Sequence, residues 1–277
     1  SFPHARQRWL RQPRPPRSRH RCRPTRLPQQ SRRTSVFDPQ SASRLPLASH
    51  QPLPSEALAA EFLLQLKTYC EHLRPFPAWT PEVLADRGRR LVEVKDPVAA
   101  AVLIALLPSP QGLRVLLTRR PESMKDHPGQ ISFPGGRAEP QDASVHQTAL
   151  REAAEEVGLS PQSVVILAQL PDYLTVTGFR VSPVLGLVSG GYELHADSLE
   201  VAELIELPLA DVLNPANHER RGLELPTGTA EFFAIPVHGQ FIWGATAAMI
   251  RNLYHFLYAA WNQRPSCSSS CLGPMRP

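Results

Sequence analysis

The stretch Arg151-Glu152-Ala153-Ala154-Glu155-Glu156-Val157-Gly158-Leu159 decides the reading of this chain. On a helix turning about 100° per residue, with Glu152 as origin, Glu155 falls near about −60° and Glu156 near about +40°. The three carboxylates share one arc, while Leu150, Ala153, Ala154 and Val157 form an apolar face for a core. Like charges on one arc repel and cost an isolated helix stability. A divalent cation removes that cost, and hard oxygen ligands without Cys or His point to Mg²⁺ or Mn²⁺. The bland alternative is a solvated acidic face, and two neighbours weaken it. Arg151 adjoins the cluster and can orient a glutamate through a bidentate pair. Upstream, Phe133-Pro134-Gly135-Gly136 is a loop where backbone can approach a ligand closely.

Outward from this stretch, the helix is predicted over residues 144–157, with Gly158 placed to end it. The apolar run Val98 to Leu107 reads as a buried strand and Arg114 to Thr118 as the next, joined by a turn around Pro108, Pro110 and Gly112. A Gly- and Pro-rich loop runs from Pro121 to about Asp142. Val164 to Leu170 and Phe179 to Val188 are strands, and Leu199 to Leu207 is a short acidic segment before a turn or helix over 208–213. Ala245 to Trp261 is a closing helix, apolar at Ile250, Leu253, Tyr254 and Leu257. Ser55 to Leu73 is a further helix with Ser55 as its cap and Leu58, Phe62, Leu63 and Leu66 on one side. Strands around a mid-chain helix give an α/β or α+β class. The expected organisation is a disordered Arg/Pro-rich extension over 1–54, a helical segment over 55–94, the main domain over 95–262 and a disordered tail over 263–277.

Composition narrows the function classes. The 277 residues carry a net charge of +5, but residues 1–50 hold twelve Arg and one acid, Asp38, so that segment is +11 and the remainder −6. The basic pI belongs to an arm, and nucleic acid is not the expected partner of the body. The longest apolar run is ten residues, and a membrane helix needs roughly 20, so no membrane partner is expected. Four cysteines exclude a disulfide scaffold, and Cys267 and Cys271 lack the further ligands of a zinc site. The first methionine is Met124, so Ser1 is read as the start of a fragment, a processed form or a translation begun upstream. Cytoplasm is the default compartment, or mitochondria if the Arg-rich arm is a transit peptide, though Pro13, Pro15 and Pro16 would break its helix.

Taken together, Gly136 and the run Arg151 to Leu159 resemble the signature box of the Nudix family, Gly-x5-Glu-x7-Arg-Glu-U-x-Glu-Glu-x-Gly-U with U apolar. The second half matches at every fixed position. The first half departs: fourteen residues separate Gly136 from Arg151 where the box has thirteen, and Asp142 stands where the box has Glu. That departure resembles the coenzyme A diphosphatase branch. So do Leu116-Leu117-Thr118-Arg119-Arg120, His127 to Gly136, Tyr173 to Phe179, and Glu200-Val201-Ala202-Glu203. The resemblance covers about residues 95–262. It implies an α/β/α sandwich with a mixed sheet and a loop–helix–loop catalytic box. It also implies metal-dependent hydrolysis of coenzyme A or its thioesters to 3′,5′-ADP and a phosphopantetheine part.

The resemblance further implies Glu152, Glu155 and Arg151 as catalytic machinery, Arg151 orienting a helix glutamate. Glu152, Glu155, Glu156 and the carbonyl near Gly136 are the implied ligands of Mg²⁺ or Mn²⁺. A later acid, Glu200 or Glu203, is an open candidate for base or further ligand. Arg119, Arg120, His127, Gln130 and Phe133 are the substrate-binding candidates. Arg119 and Arg120 are alternatively surface arginines, His127 and Gln130 loop stabilisers, and Phe133 core. Tyr173, Phe179 and Trp243 are more readily core than site. The alternatives are a family member acting on ADP-ribose, a dinucleotide or another nucleotide, and, in another class, a non-catalytic nucleotide-binding protein. A nucleic-acid-binding arm is a third reading, and a homodimer is left open.

Overall fold

The apolar run at Val98 becomes the spine of the protein. The computed structural model describes residues 38–72, 96–124, 127–189, 191–225 and 228–264. In chain order the first elements are β1 (Ser43–Leu45), α1 (Ala60–His72), β2 (Val98–Ser109), β3 (Gly112–Arg119), β4 (Ile131–Ser132) and β5 (Gly135–Arg137). Then come α2 (Val145–Val157), β6 (Val164–Gln169), β7 (Tyr173–Leu174), β8 (Phe179–Val188) and β9 (Glu203–Pro208). The last are α3 (Leu209–Val212), β10 (Glu219–Leu225), β11 (Gly228–Val237), β12 (Gln240–Trp243) and α4 (Ala245–Gln263).

One sheet runs β4-β3-β2-β8-β6, with β5 added to β2, β7 to β8 and β9 to β3. Among the described residues only β2 and β8 pair in parallel, from Val98 opposite Phe179 to Leu106 opposite Leu187. The sheet is therefore mixed, as expected. Strand β2 is covered on both faces, which is why it reads as a continuous apolar run rather than an alternation. Ala101, Leu103, Ala105 and Leu107 face α2 through Ala149, Ala153 and Val157. Ala100, Ile104 and Leu106 belong to the opposite cluster, with Phe62, Leu63 and Leu66 of α1 and Ala247, Ile250, Leu253 and Leu257 of α4. Helices on both faces make the α/β/α sandwich.

A second sheet, β1-β10-β11-β12, was not anticipated. Its strand β10 carries charge: Arg220 pairs across to Glu231 of β11 and Glu219 across to Arg44 of β1, while Arg221 meets Glu219 within the strand. Charged cross-strand partners satisfy one another only once the strands are aligned, so no apolar alternation announced β10.

Part of the stretch expected to be a disordered extension is ordered. Residues 38–54 lie along the body: Ser43–Leu45 pair with Arg220–Gly222 of β10. Arg221 Nη1 donates to the Gln40 carbonyl at 2.7 Å, and Tyr254 of α4 donates its hydroxyl to the Gln51 carbonyl at 2.6 Å. A short polar strand of this kind gains its order from its partner, which composition does not contain. The first helix also differs. Ser55 to Leu58 form a 3-10 turn, capped by Pro54 without a side-chain bond, and α1 starts at Ala60. Residues 1–37, 73–95 and 265–277, with Cys22, Cys267 and Cys271, lie outside the described residues. Among the described residues no helix is long and apolar enough to cross a membrane.

Residues 38–54 predict a measurable boundary. A chain beginning at Ser55 should be about 3 kcal/mol less stable than one beginning at Asp38, since it loses these bonds and the packing of Leu47 and Leu53. For a domain of this size that is roughly 6–12 °C in melting temperature. Equal melting temperatures would show that the segment adds nothing.

Candidate active site

Helix α2 is fixed at both ends by its own sequence. Ser144 Oγ accepts from Gln147 N–H at 3.2 Å, and Gly158 closes it in the left-handed region at φ 70°. With Ala149, Ala153 and Val157 buried against the sheet, the carboxylates are not equivalent, although they share one arc of the helix. Glu156 is only 6% exposed, Glu152 is largely covered, and the Glu155 side chain is 62% exposed.

The two covered glutamates rest on Gly135 and Gly136 of β5. A Cβ on Gly136 would lie 2.5–2.6 Å from the carboxyl atoms of Glu152. Its absence is what lets Glu152 sit over the backbone. A Cβ on Gly135 would lie 2.4 Å from the Ala101 carbonyl of β2, and the Gly135 N–H donates to Glu156 Oε2 at 3.1 Å. One glycine therefore holds the strand against the sheet while its neighbour makes room for a carboxylate.

Arg151 organises the rest. Its Nε donates to Asp142 Oδ1 at 3.1 Å and its Nη2 to Oδ2 at 2.9 Å, a bidentate pair. Nη1 donates to Glu152 Oε1 at 3.0 Å and to Glu155 Oε2 at 3.1 Å, and Nη2 also reaches the Arg137 carbonyl at 3.0 Å. Asp142 in turn accepts from the Glu139 N–H and the Thr148 hydroxyl, each at 3.0 Å. The Asp142 side chain is 2% exposed, and Arg151 holds it well below the usual carboxylate range, helped by the Glu139 N–H. The Arg151 guanidinium is raised in return, first by Asp142. The aspartate that departs from the box thus anchors the longer loop.

Burial pushes Glu156 up to about 7, outweighing the Gly135 N–H, and the charges of Glu152 and Glu200 add to the rise while Arg120 opposes it. Burial raises Glu152 as well, against the pull of Arg151, with Glu155 and Glu200 adding to the rise. Glu200 is brought to the cluster by a turn whose Asp197 N–H donates to the Glu156 carbonyl at 2.9 Å. Of the two later acids, Glu203 is taken by Arg119 instead, at 2.7 Å.

The remaining candidates separate. Arg120 has a buried Nε with no hydrogen-bond partner among the described residues, and it acts electrostatically on Glu156. Arg119 is engaged by Glu203 and by Gln240 of β12, and nothing in the sequence pointed to Gln240. Gln130 is half-buried in a turn whose first residue, His127, is exposed at φ 56°; its carbonyl accepts from the Arg120 N–H at 3.0 Å. Phe133 is 2% exposed inside the main cluster, so as placed it offers no stacking surface. Phe179 lies under the Arg137 guanidinium, 5.3 Å from its centroid, and Tyr173 is half-buried.

Clustered carboxylates that raise one another, with oxygen as the sole donor type, suit a hard divalent cation such as Mg²⁺ or Mn²⁺. Glu152, Glu156 and Glu200 are the residues that could hold one. Among the described residues no three such side chains are already drawn around one point; Arg151 occupies Glu152 and Glu155.

The family profile described as NUDIX domain matches residues 97–223. An uncharacterized Nudix hydrolase NudL of Yersinia enterocolitica is 41% identical over 154 residues, 56% of this chain and 78% of the relative. A second, of Photorhabdus laumondii, is 37% identical over 178 residues, 62% of this chain and 87% of the relative. Among solved structures, a MutT/nudix family protein from Enterococcus faecalis is 19% identical with a TM-score of 0.38, over 70% of this chain and 66% of that one.

Asp142 and Glu156 predict opposite pH slopes. A carboxylate held below its unfolded value stabilises the fold at neutral pH, and that contribution is lost as pH falls through its folded value. Asp142→Asn should therefore be less stable than wild type at pH 7, with the gap closing as acid is added below about pH 4. A carboxylate raised from 4.5 to about 7 does the reverse: stability falls as pH rises across that window. Glu156→Gln, which can still accept from Gly135, should stabilise the chelator-treated protein by about 3 kcal/mol at pH 8 and hardly at all at pH 4. Denaturant titrations at the two pH values read both effects, and a Glu156→Gln protein no more stable than wild type at pH 8 would refute the burial argument.

Proposed function

The chain belongs to the Nudix hydrolase family, and from that premise we propose that it cleaves the diphosphate bond of coenzyme A or its thioesters. The products are 3′,5′-ADP and 4′-phosphopantetheine or its acylated form. The observation that carries the chemistry is the seating of Glu152 and Glu156 on Gly135-Gly136, beside an Arg120 whose Nε has no partner among the described residues. The choice of coenzyme A rests on the resemblance of His127 to Gly136 and of the Asp142 loop to that branch.

A diphosphate resists attack because its oxygens repel a nucleophile. Nudix hydrolases generally use divalent metal ions, and Mg²⁺ or Mn²⁺ bound here would neutralise those oxygens and lower the pKa of a coordinated water. Glu152 and Glu156 supply the anionic oxygens, joined by Glu200 and the Gly136 carbonyl. Glu200 takes precedence over Glu155, because it adds to the charge felt by Glu156 whereas Glu155 is exposed and ion-paired to Arg151. Arg151 orients Glu152 and is itself oriented by Asp142. Arg120 meets the negative charge of the substrate, and His127 and Gln130 are assigned to substrate binding on the resemblance alone. In the reaction the water oxygen forms a bond to one phosphorus as the bridging P–O bond breaks. The proton that water gives up passes to a carboxylate of the cluster.

Product analysis by mass spectrometry tests the reading. The protein is incubated with coenzyme A, ADP-ribose, NADH and a nucleoside triphosphate, each with Mg²⁺, with Mn²⁺ and with chelator. Metal-dependent release of 3′,5′-ADP and 4′-phosphopantetheine, fastest from coenzyme A, is expected. Faster cleavage of another substrate would discard coenzyme A and keep the glutamates. Glu152→Gln should lower kcat about a thousandfold, the several kcal/mol that metal-assisted charge stabilisation supplies, with no loss of melting temperature. Wild-type turnover by that variant would sink the mechanism.

A further inference from the structure

Arg119, which ends β3, and Arg120, which follows it, point to opposite faces. Arg120 shares the face of Leu116, which packs in the α2 cluster, and it acts on Glu156. Arg119 shares the face of Val115 and Leu117, in the cluster of α4. There its Nε donates to Glu203 Oε2 at 2.7 Å and its Nη2 to Gln240 Oε1 of β12. Its carbonyl accepts from the Ala202 N–H at 2.8 Å. Arg119 thus ties the end of β3 to the start of β9 and to the second sheet.

The turn before β9 is hooked at both ends. At one end the Asp197 N–H donates to the Glu156 carbonyl at 2.9 Å, and at the other Ala202 is bound to Arg119. Within it, the Glu200 and Val201 N–H groups donate to the Asp197 carbonyl at 3.1 and 2.8 Å. The Arg119–Glu203 pair acts at that end together with the two backbone hooks, the Leu199 N–H donated to Asp197 Oδ1 at 2.9 Å, the burial of Val201 and the β3–β9 ladder that begins at Arg119 and Glu203. With Nε on Glu203 and Nη2 on Gln240, two of the three guanidinium nitrogens of Arg119 are already engaged, on the strand face opposite the one that Arg120 shares with Leu116.

We propose that Arg119 is a positioning residue: by gripping Glu203 and Gln240 it holds the turn over residues 197–202 so that Glu200 stands with Glu152 and Glu156, and it does not touch the substrate. The proposal rests on the reading of this site as a diphosphate hydrolase, and it removes Arg119 from the substrate-binding set. Displacing a group by about 1 Å can cost about a hundredfold in rate, which gives the clamp a catalytic consequence without contact.

Two measurements on the full chain separate the clamp from the activity. Hydrogen–deuterium exchange compares wild type with Arg119→Ala and Glu203→Gln. Both variants should lose protection selectively over residues 197–203, whatever the enzyme cleaves, and unchanged protection there would overturn the proposal. Kinetics on the diphosphate that wild type hydrolyses best reads the consequence. Arg119→Ala should lower kcat about 10- to 100-fold with KM within threefold of wild type. Arg119→Lys, which keeps a cation in reach of Glu203, should recover part of the loss. Combined with Glu200→Gln, Arg119→Ala should add no further loss, because both act through one carboxylate. A raised KM at constant kcat, or losses that multiply, would make Arg119 a substrate contact or an independent group and overturn the proposal. Absence of any wild-type turnover would instead defeat the functional reading, leaving the exchange result to decide the clamp.

Discussion

A single guanidinium sets the geometry of this protein's working end. Arg151 grips Asp142 with two parallel bonds, holds Glu152 and Glu155 with a third nitrogen, and reaches the Arg137 carbonyl. It thereby closes the loop between β5 and α2 and aims a carboxylate across it. Asp142 can serve as anchor because three further constraints converge on it: the Glu139 N–H, the Thr148 hydroxyl and near-complete burial. A charged pair so enclosed is costly to leave half-made, so the loop has one satisfied arrangement. The extra residue between Gly136 and Arg151 is absorbed without disturbing the helix, because the shorter aspartate is held by both the loop and the first turns of α2.

Electrostatic cost is concentrated a few residues away. Glu156 is buried, bound to one N–H, and flanked by the carboxylates of Glu152 and Glu200, with Arg120 as a counter-charge. In a body selected for stability alone such a cluster would be replaced by apolar packing. Its persistence, on the rigid support of a glycine pair and a capped helix, is the expected signature of a site whose ligand supplies positive charge. The anchor is thus stabilised by its ionisation, while the cluster is destabilised by its own.

Legibility in the sequence followed the range of the interaction. Helix α2 was readable to within one residue, because Ser144 and Gly158 act on their own helix ends. Strands β2, β3 and β8 were readable because burial on both faces leaves continuous apolar runs. The second sheet was not, since Arg220 and Glu219 in β10 look like surface residues until Glu231 of β11 and Arg44 of β1 are placed beside them. Residues 38–54 failed for the same reason: Ser43-Arg44-Leu45 has no strand signature, and its order is borrowed from β10. Within the site, Arg119 and Arg120 were indistinguishable as letters, and strand alternation alone sent them to opposite faces.

By itself the sequence determined the family box, the carboxylate chemistry and the sandwich class. Each is written in residues close together in the chain, or in the periodicity of single elements. The tertiary structure decided which glutamates are covered, that Asp142 anchors Arg151, that Phe133 is core, and that Glu200 joins the cluster while Glu203 pairs with Arg119. Those outcomes depend on partners 9 to 84 positions apart in the chain. Burial and charge pairing are properties of assembled neighbours, and no local pattern encodes which neighbour arrives.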